Sequence, residues 1–213
     1  MGQVLDKLLE IGSKPISEKF AAVSSESIFT GRVGAELREL LARKNGFYAF
    51  ESALHVFPFC SQPDVVDLAK WNSPKLWRQH YGDLAQGCVF FGEDVFGFQF
   101  AIKDDLVWSF DAETGSLTEV GESLEAWAQM VLGDYEFHTG YPFAHEWQAY
   151  NRPLLPTERL FPKFPFVLGG KYAIDNLVAS NAVYGMQFRG YVAQHIKDLP
   201  EGTKVEFVFD PLN

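Results

Sequence analysis

The chain has 213 residues and a formal net charge of -10, from 18 Lys and Arg against 28 Asp and Glu. That length suits one large domain, or a domain with an appendage, able to bury about 70% of its unfolded surface without help from disulfides or metals. The acidic balance argues against direct nucleic-acid binding, which needs clustered Lys and Arg on phosphates; it fits a basic partner, or solubility alone.

Val4, Leu5, Leu8 and Leu9 form an apolar stripe at helical spacing that ends at Gly12 and Pro15, so the chain opens with a short amphipathic helix. Val33, Leu37, Leu40 and Leu41 repeat the pattern, Glu39 stands one turn before Arg43, and Asn45-Gly46 supplies a left-handed stop. Phe47 to Phe59 is apolar and aromatic with Pro58 as its stop, and reads as a strand or extended loop. Asp64 to Tyr81 carries Val65, Leu68, Trp71, Leu76 and Trp77 at helical spacing, broken near Pro74.

Cys88 to Val120 then reads as four consecutive short strands running into a helix. Phe96, Phe98, Phe100 and Ile102 fall on one side and Gly97, Gln99 and Ala101 on the other, the period of two of a half-buried strand. Asp104-Asp105 and Ala112-Glu113-Thr114-Gly115 are the turns, with Gly115 free to take positive φ, so the topology is a meander. Ser123 is the N-cap of a helix whose face is Leu124, Trp127, Ala128, Val131 and Leu132, expected to pack on the meander.

Between 141 and 170, Pro142, Pro153, Pro156, Pro162 and Pro165 recur before Gly169-Gly170, a density that excludes a long helix or a central strand and marks a connector. Beyond it, Tyr172 to Val178 and Ala182 to Phe188 read as strands, Tyr191 to Leu199 as a short helix, and Thr203 to Phe209 as a final strand. The expected fold class is α+β: a mostly antiparallel meander with helices on one side, plus a small β-β-α-β C-terminal unit. The expected organisation is a domain over 1–140, a connector over 141–170 and an extension over 171–213, either separate or continuous with the same sheet.

Three strings carry a family resemblance: ELRELLARKNGFYAFESALHVFP, FFGEDVFGFQFAI and DLVWSFDAETGSLTEVGESLEAWAQMVL, together spanning roughly positions 30 to 135. In their order and glycine punctuation they resemble the SUKH superfamily, which takes in a yeast cell-wall glucan synthesis regulator and many bacterial immunity proteins. The resemblance implies an α+β domain that binds proteins without catalytic residues or a cofactor, often neutralising a toxin such as a nuclease by sitting on it. A partner of that kind is basic near its active site, and opposite potentials speed encounter. The residues this reading offers for contact are the acidic Glu93, Asp94, Asp104 and Asp105 and the anchors Trp71 and Trp77. Each has a plainer role to hand: turn residues, a solvated hairpin tip, and core packing.

The alternative is an enzyme built on DYEFHTGYPFAHEW, with Asp134, Glu136, His138, His145 and Glu146. Histidines and carboxylates are metal ligands. The seven-residue interval between His138 and His145 is no recognised ligand spacing, and Gly140 and Pro142 prevent one helix from holding both rings. Cys60 and Cys88 read as reduced core thiols, and no nucleophile elbow or phosphate-cradling loop occurs. No apolar run approaches the roughly 20 residues of a membrane span and no leader pattern precedes the first helix, so a cytoplasmic location is expected.

Overall fold

The computed structural model describes residues 2–18, 20, 28–200 and 202–205. In chain order it runs α1 (Gln3–Ile11), α2 (Gly31–Arg43), β1 (Phe47–Ala49), β2 (Leu54–Val56), the single-turn α3 (Leu68–Trp71), two 3-10 turns (Arg78–His80 and Gly82–Ala85), β3 (Val89–Asp94), β4 (Gln99–Lys103), β5 (Leu106–Phe110) and β6 (Leu117–Gly121). There follow α4 (Leu124–Gly133), α5 (Tyr135–Thr139), α6 (Tyr141–Tyr150), β7 (Glu158–Pro162), β8 (Leu177–Asn181) and α7 (Ala182–Ile196). Strands β1 to β6 form one antiparallel sheet in sequence order, and β7 pairs with β8 in a second, two-stranded one. The fold is α+β with a meander at its centre, as the alternation in the sequence implies.

Pairing register decides which residues share a face. Phe47, Leu54, Val56, Phe100 and Ile102 fall on one face, with Phe91 beside them at the bulge between Phe90 and Gly92. The helices expected on one side lie here: the Trp127 ring of α4 meets Phe91 at 5.1 Å and Phe100 at 5.6 Å, and α1 and α2 pack against α4. Carboxylates remote in sequence cap these helices. Glu125 accepts from the Val4 and Leu5 amides, Asp105 from Val33, and Glu36 from Leu124. The meander turn at Asp104-Asp105, both at positive φ as a two-residue hairpin loop requires, thereby also fixes the start of α2.

The opposite face is covered by α3, the 3-10 turns and α7, whose Met186 and Ala193 belong to the same core as the meander residues. Trp77, Tyr81, Phe90 and Phe110 pack ring against ring here, at centroid separations of 5.0 to 5.4 Å.

Several expected elements change identity or extent. The Asp64–Tyr81 helix shrinks to α3 because Pro74 forbids its continuation, and Asp67 caps the one turn that remains. Strand β4 begins at Gln99, not Phe96, because Asp94 Oδ1 accepts from both the Phe96 and Phe98 amides and turns the chain there. Ala182 to Phe188, read as a strand, is the first half of α7: Asn181 accepts from the Val183 and Tyr184 amides, and the buried Ala182, Gly185, Met186 and Arg189 recur at helical spacing. The segment read as a connector holds α6, with Pro142 in its first turn where no amide hydrogen bond is forfeited, and β7, which ends on Pro162. Tyr172 to Val178 holds a 3-10 turn before β8 starts at Leu177, and the expected strand from Thr203 to Phe209 falls largely outside the described residues. Among the described residues no helix is long and apolar enough to cross a membrane.

Ser123 caps α4 as expected, its hydroxyl accepting from the Ala126 amide at 3.1 Å. Ser123→Ala is expected to destabilise the fold by about 1 kcal/mol, measured as a lower urea midpoint at unchanged slope.

Candidate functional site

The structure separates the residues that the sequence offers as contact sites. Asp104 and Asp105 are exposed at the β4–β5 turn, but Asp105 is engaged in capping α2. Glu93, at 1% exposure, and Trp71 and Trp77, at 1% and 0%, lie in the interior and cannot touch a partner, and Asp94, at 6%, reaches only the wall of a groove. The hairpin tip is not solvated because α7 and β7 close over it, with Arg189 Nη1 donating to Phe96 O and the Leu160 amide to Val95 O. Trp71 is drawn inward because its Nε1–H finds Gln99 Oε1 at 2.8 Å.

What these residues build is a polar stripe across the second face of the sheet. Tyr48, His55, Glu93 and Gln99 stand opposite one another on β1, β2, β3 and β4. Tyr48 stacks on His55 at 4.5 Å, and His55 Nδ1 lies 3.0 Å from Glu93 Oε1. Gln99 Nε2 donates to Glu93 Oε2 at 3.2 Å. From β7, the fully buried Arg159 brings Nη2 to 2.8 Å from Glu93 Oε1. Burial pushes the Glu93 carboxyl up, but Arg159, His55 and Gln99 together outweigh it and hold it below its ordinary value. An ionised Glu93 can only accept, so His55 Nδ1 carries the hydrogen between them. Burial, reinforced by Arg159 and opposed by Glu93, lowers the His55 pKa to about 4, so the ring is neutral at pH 7. His55, Glu93, Gln99 and Arg159 are all buried, which closes this joint between the two sheets to solvent behind the half-buried Tyr48, with Arg159 Nε left without a hydrogen-bond partner.

The open site lies beside it. A groove of 780 Å³ runs over β4, β5, β6 and α5 with Tyr172 on its rim. Four carboxylic acids line it, Asp94, Asp111, Glu119 and Glu136, together with His138 and no lysine or arginine. Phe96, Phe98 and Phe100 contribute apolar lining, while Phe137 is 77% and Tyr172 54% exposed. Asp94 is the group that burial alters most here: desolvation raises its pKa to about 8 against the pull of the Phe98 and Phe96 amides and Arg189, so it is protonated at neutral pH. His138 is lowered by burial, with Asp134 acting the other way. Asp111 also accepts from the Glu113 and Thr114 amides and so holds the β5–β6 hairpin. Of the groove acids, Asp94 and Glu136 were singled out in the sequence; Asp111, Glu119 and Tyr172 carry no signal there, since only the meander and α5 bring them together.

The Asp134–Glu146 cluster is divided between two depressions, with Glu136 on the wall of both. Asp134 caps α5 through the Phe137 amide, and Glu136 and His138 face the groove. His145 lies in a second depression with Glu146, which Glu136 also lines, and pairs with Glu51 at 3.0 Å. Among the described residues no group of three or more His, Cys, Asp or Glu side chains is placed to hold a metal ion. Cys60 and Cys88 are both buried free thiols, and burial raises that of Cys88.

No protein-family model matches this chain, and no curated protein does either. Among solved structures it is similar to the crystal structure of Atu4351 from Agrobacterium tumefaciens. The two share 13% sequence identity at a TM-score of 0.62, covering 87% of this chain and 88% of that one. At that identity the likeness concerns the fold alone: the α+β arrangement recurs over nearly the full length of both chains.

Proposed function

We propose that this chain is a non-enzymatic, cytoplasmic protein-binding domain of SUKH type that occludes a basic partner, in its most specific form a bacterial toxin such as a nuclease. The observation that carries the reading is the groove: Asp111, Glu119 and Glu136 line it beside the neutral Asp94, with no lysine or arginine and with two exposed rings at its edge. Aromatic anchors set beside charge are what concentrates binding energy in a protein interface. A chain of net charge -10 also attracts a basic partner from a distance, which raises the association rate at low salt. The contact residues in this reading are Glu119, Glu136, Phe137 and Tyr172, in place of Glu93, Asp94, Trp71 and Trp77.

The test is affinity capture from the native host with the intact chain and with a Glu119→Lys/Glu136→Lys/Phe137→Ala variant. All three side chains are exposed, so the variant folds. One dominant basic protein is expected with the wild type, its capture weakened at least about tenfold by the variant and by added salt. Capture that the variant leaves unchanged rules the groove out as the interface.

A second reading rests on Asp94. Asp94, a carboxyl protonated at neutral pH, and His138, lowered by burial, line the same groove, which offers a proton donor and an acceptor to a bound molecule. This enzyme reading requires Asp94→Asn to abolish an activity while leaving partner capture intact; the binding reading requires neither.

A further inference from the structure

The groove has an inner end with a chemistry of its own. Register sets Asp94 on the groove's face of the sheet: it stands opposite Leu54 of β2, and its amide donates to Phe98 O, on the face that Phe100, Ser109 and Thr118 share. Oδ1 is taken up by the Phe96 and Phe98 amides, whereas Oδ2 makes no hydrogen bond among the described residues. Oδ2 is also not one of the fully buried unpaired atoms of the fold, so this 6% exposed side chain keeps one oxygen open, and it lines the groove. Rings stand around it. Phe96 meets Tyr172 at 5.6 Å and 79° and Phe143 at 5.5 Å and 61°, which sets ring faces steeply across one another. Asp111 and Glu136 line the same 780 Å³ space, with no lysine or arginine to neutralise them.

We propose that the inner end of the groove is a guanidinium site, filled by one arginine side chain of the partner that donates to Asp94 Oδ2 and lies flat against the aromatic wall. This rests on the groove being the interface and adds to it Asp94, which a flat surface cannot reach but a side chain inserted end-on can. Arginine suits the site better than lysine, because a planar guanidinium stacks on ring faces, sheds water more readily than an ammonium, and has donors enough for Asp94 Oδ2 and a second acid at once. Among the described residues no group of three or more ligating side chains is placed for a metal ion instead. The guest also changes Asp94. In the empty groove burial raises its pKa to about 8 against the Phe98 and Phe96 amides and Arg189 of α7, with Glu93, beside it on β3 and paired with Arg159 of β7, adding to the rise. A guanidinium favours the carboxylate, so Asp94 gives up its proton on binding and affinity climbs with pH until about 8. The other groups around it add little slope there: burial raises the Tyr172 hydroxyl to about 12 and lowers His138 from 6.5, while Asp111 and Glu136 are carboxylates.

The experiment is a chemical-shift titration of the full chain with Nα-acetyl-arginine amide at pH 6.5 and 8, with the citrulline and lysine counterparts as controls. Saturable binding of the arginine derivative is expected, with shifts confined to β4, the β5–β6 hairpin, α5 and the surroundings of Tyr172. Citrulline, its neutral isostere, binds at least about tenfold more weakly, and lysine falls between them. Affinity for arginine rises about tenfold from pH 6.5 to 8. Asp94→Asn, whose Oδ1 still accepts from both turn amides and whose NH2 takes the place of Oδ2, loses that rise and binds at least about tenfold more weakly at pH 8. Thr118→Arg, at an exposed position of β6 on the groove wall, puts a guanidinium of the chain itself into the space and abolishes binding even if the Asp94 variant fails to fold. No saturable binding of the arginine derivative, equal binding of citrulline, or binding unchanged in Asp94→Asn or Thr118→Arg overturns the guanidinium site. If that happens while the Glu119/Glu136/Phe137 variant still loses its partner, the groove remains the interface. If arginine binds as expected while that variant keeps its partner, the interface falls, and with it the partner as the source of the guanidinium.

Discussion

Arg159→Met is expected to destabilise the fold by about 3 to 5 kcal/mol, because it leaves the buried Glu93 without its principal counter-charge. Arg159 is completely buried, its Nη2 stands 2.8 Å from Glu93 Oε1, and its guanidinium lies over the Tyr48 ring at 5.7 Å. Methionine replaces the stem volume, so the loss reports the charge rather than a cavity. Urea unfolding at pH 7 gives the difference directly. Glu93→Gln/Arg159→Met is expected to recover a large part of it, since a neutral pair in the same place removes the unpaired ion, and the double-mutant cycle isolates the pair from the surrounding hydrogen bonds. The variant carries a second, spectroscopic signature. Arg159 is one cause of the low His55 pKa, and an unneutralised Glu93 draws a proton onto the ring, so the His55 titration in Arg159→Met moves upward from about 4. A loss below about 1 kcal/mol, with His55 unmoved, means that water reaches Glu93 and the stripe is not the closed joint described above.

The central sheet is legible in the sequence because its signals are local. Phe98, Phe100 and Ile102 alternate with Gln99 and Ala101, and Asp104-Asp105 and Gly115 adopt the positive φ that the turns demand. The Ser123 cap and the Trp127 face of α4 are likewise contained in one short window. The polar stripe is not local: Tyr48, His55, Glu93 and Gln99 come from four strands, and Arg159 arrives from a separate sheet, so only pairing register reveals that they meet. The same reason turns the acidic pair inward. Glu93-Asp94 at a hairpin end has the look of a solvated tip, yet each side chain is engaged, the Glu93 carboxylate by Arg159 and the Asp94 carboxyl by two turn amides. The first half of α7, Ala182 to Phe188, reads as a strand because Val183 and Tyr184 favour strands, while the small Gly185, which fits against Phe161, carries no apolar weight in a periodicity argument; the second half, from Tyr191, is helical as its spacing implies. The surface that remains acidic and aromatic is assembled from the β5–β6 hairpin, α5 and Tyr172, where no stretch of sequence carries the pattern alone.

Raising the pH from 6.5 to 8 is expected to weaken the folded chain by about 2 kcal/mol through Asp94 alone. The folded-state pKa of Asp94 is raised from 3.8 to about 8, so the native chain holds this proton while the unfolded chain has lost it. Stability from this group is therefore complete below about pH 4 and declines as pH climbs to 8, at about 1.4 kcal/mol per unit. His55 acts in the opposite sense. Its pKa is lowered from 6.5 to about 4, so its contribution is complete above pH 6.5 and is lost as pH falls toward 4. Between pH 4 and 6.5 the two slopes oppose one another and the net change from the pair is small; above 6.5 only the Asp94 slope remains. Asp94→Asn separates the two, because asparagine Oδ1 accepts from the Phe96 and Phe98 amides as the aspartic acid does and has no proton to lose. Urea titrations at pH 6.5 and 8 should show the wild type losing stability and the variant holding level across the interval. Equal losses in both place the titrating group elsewhere, and Glu113, also raised by burial, is the next to replace.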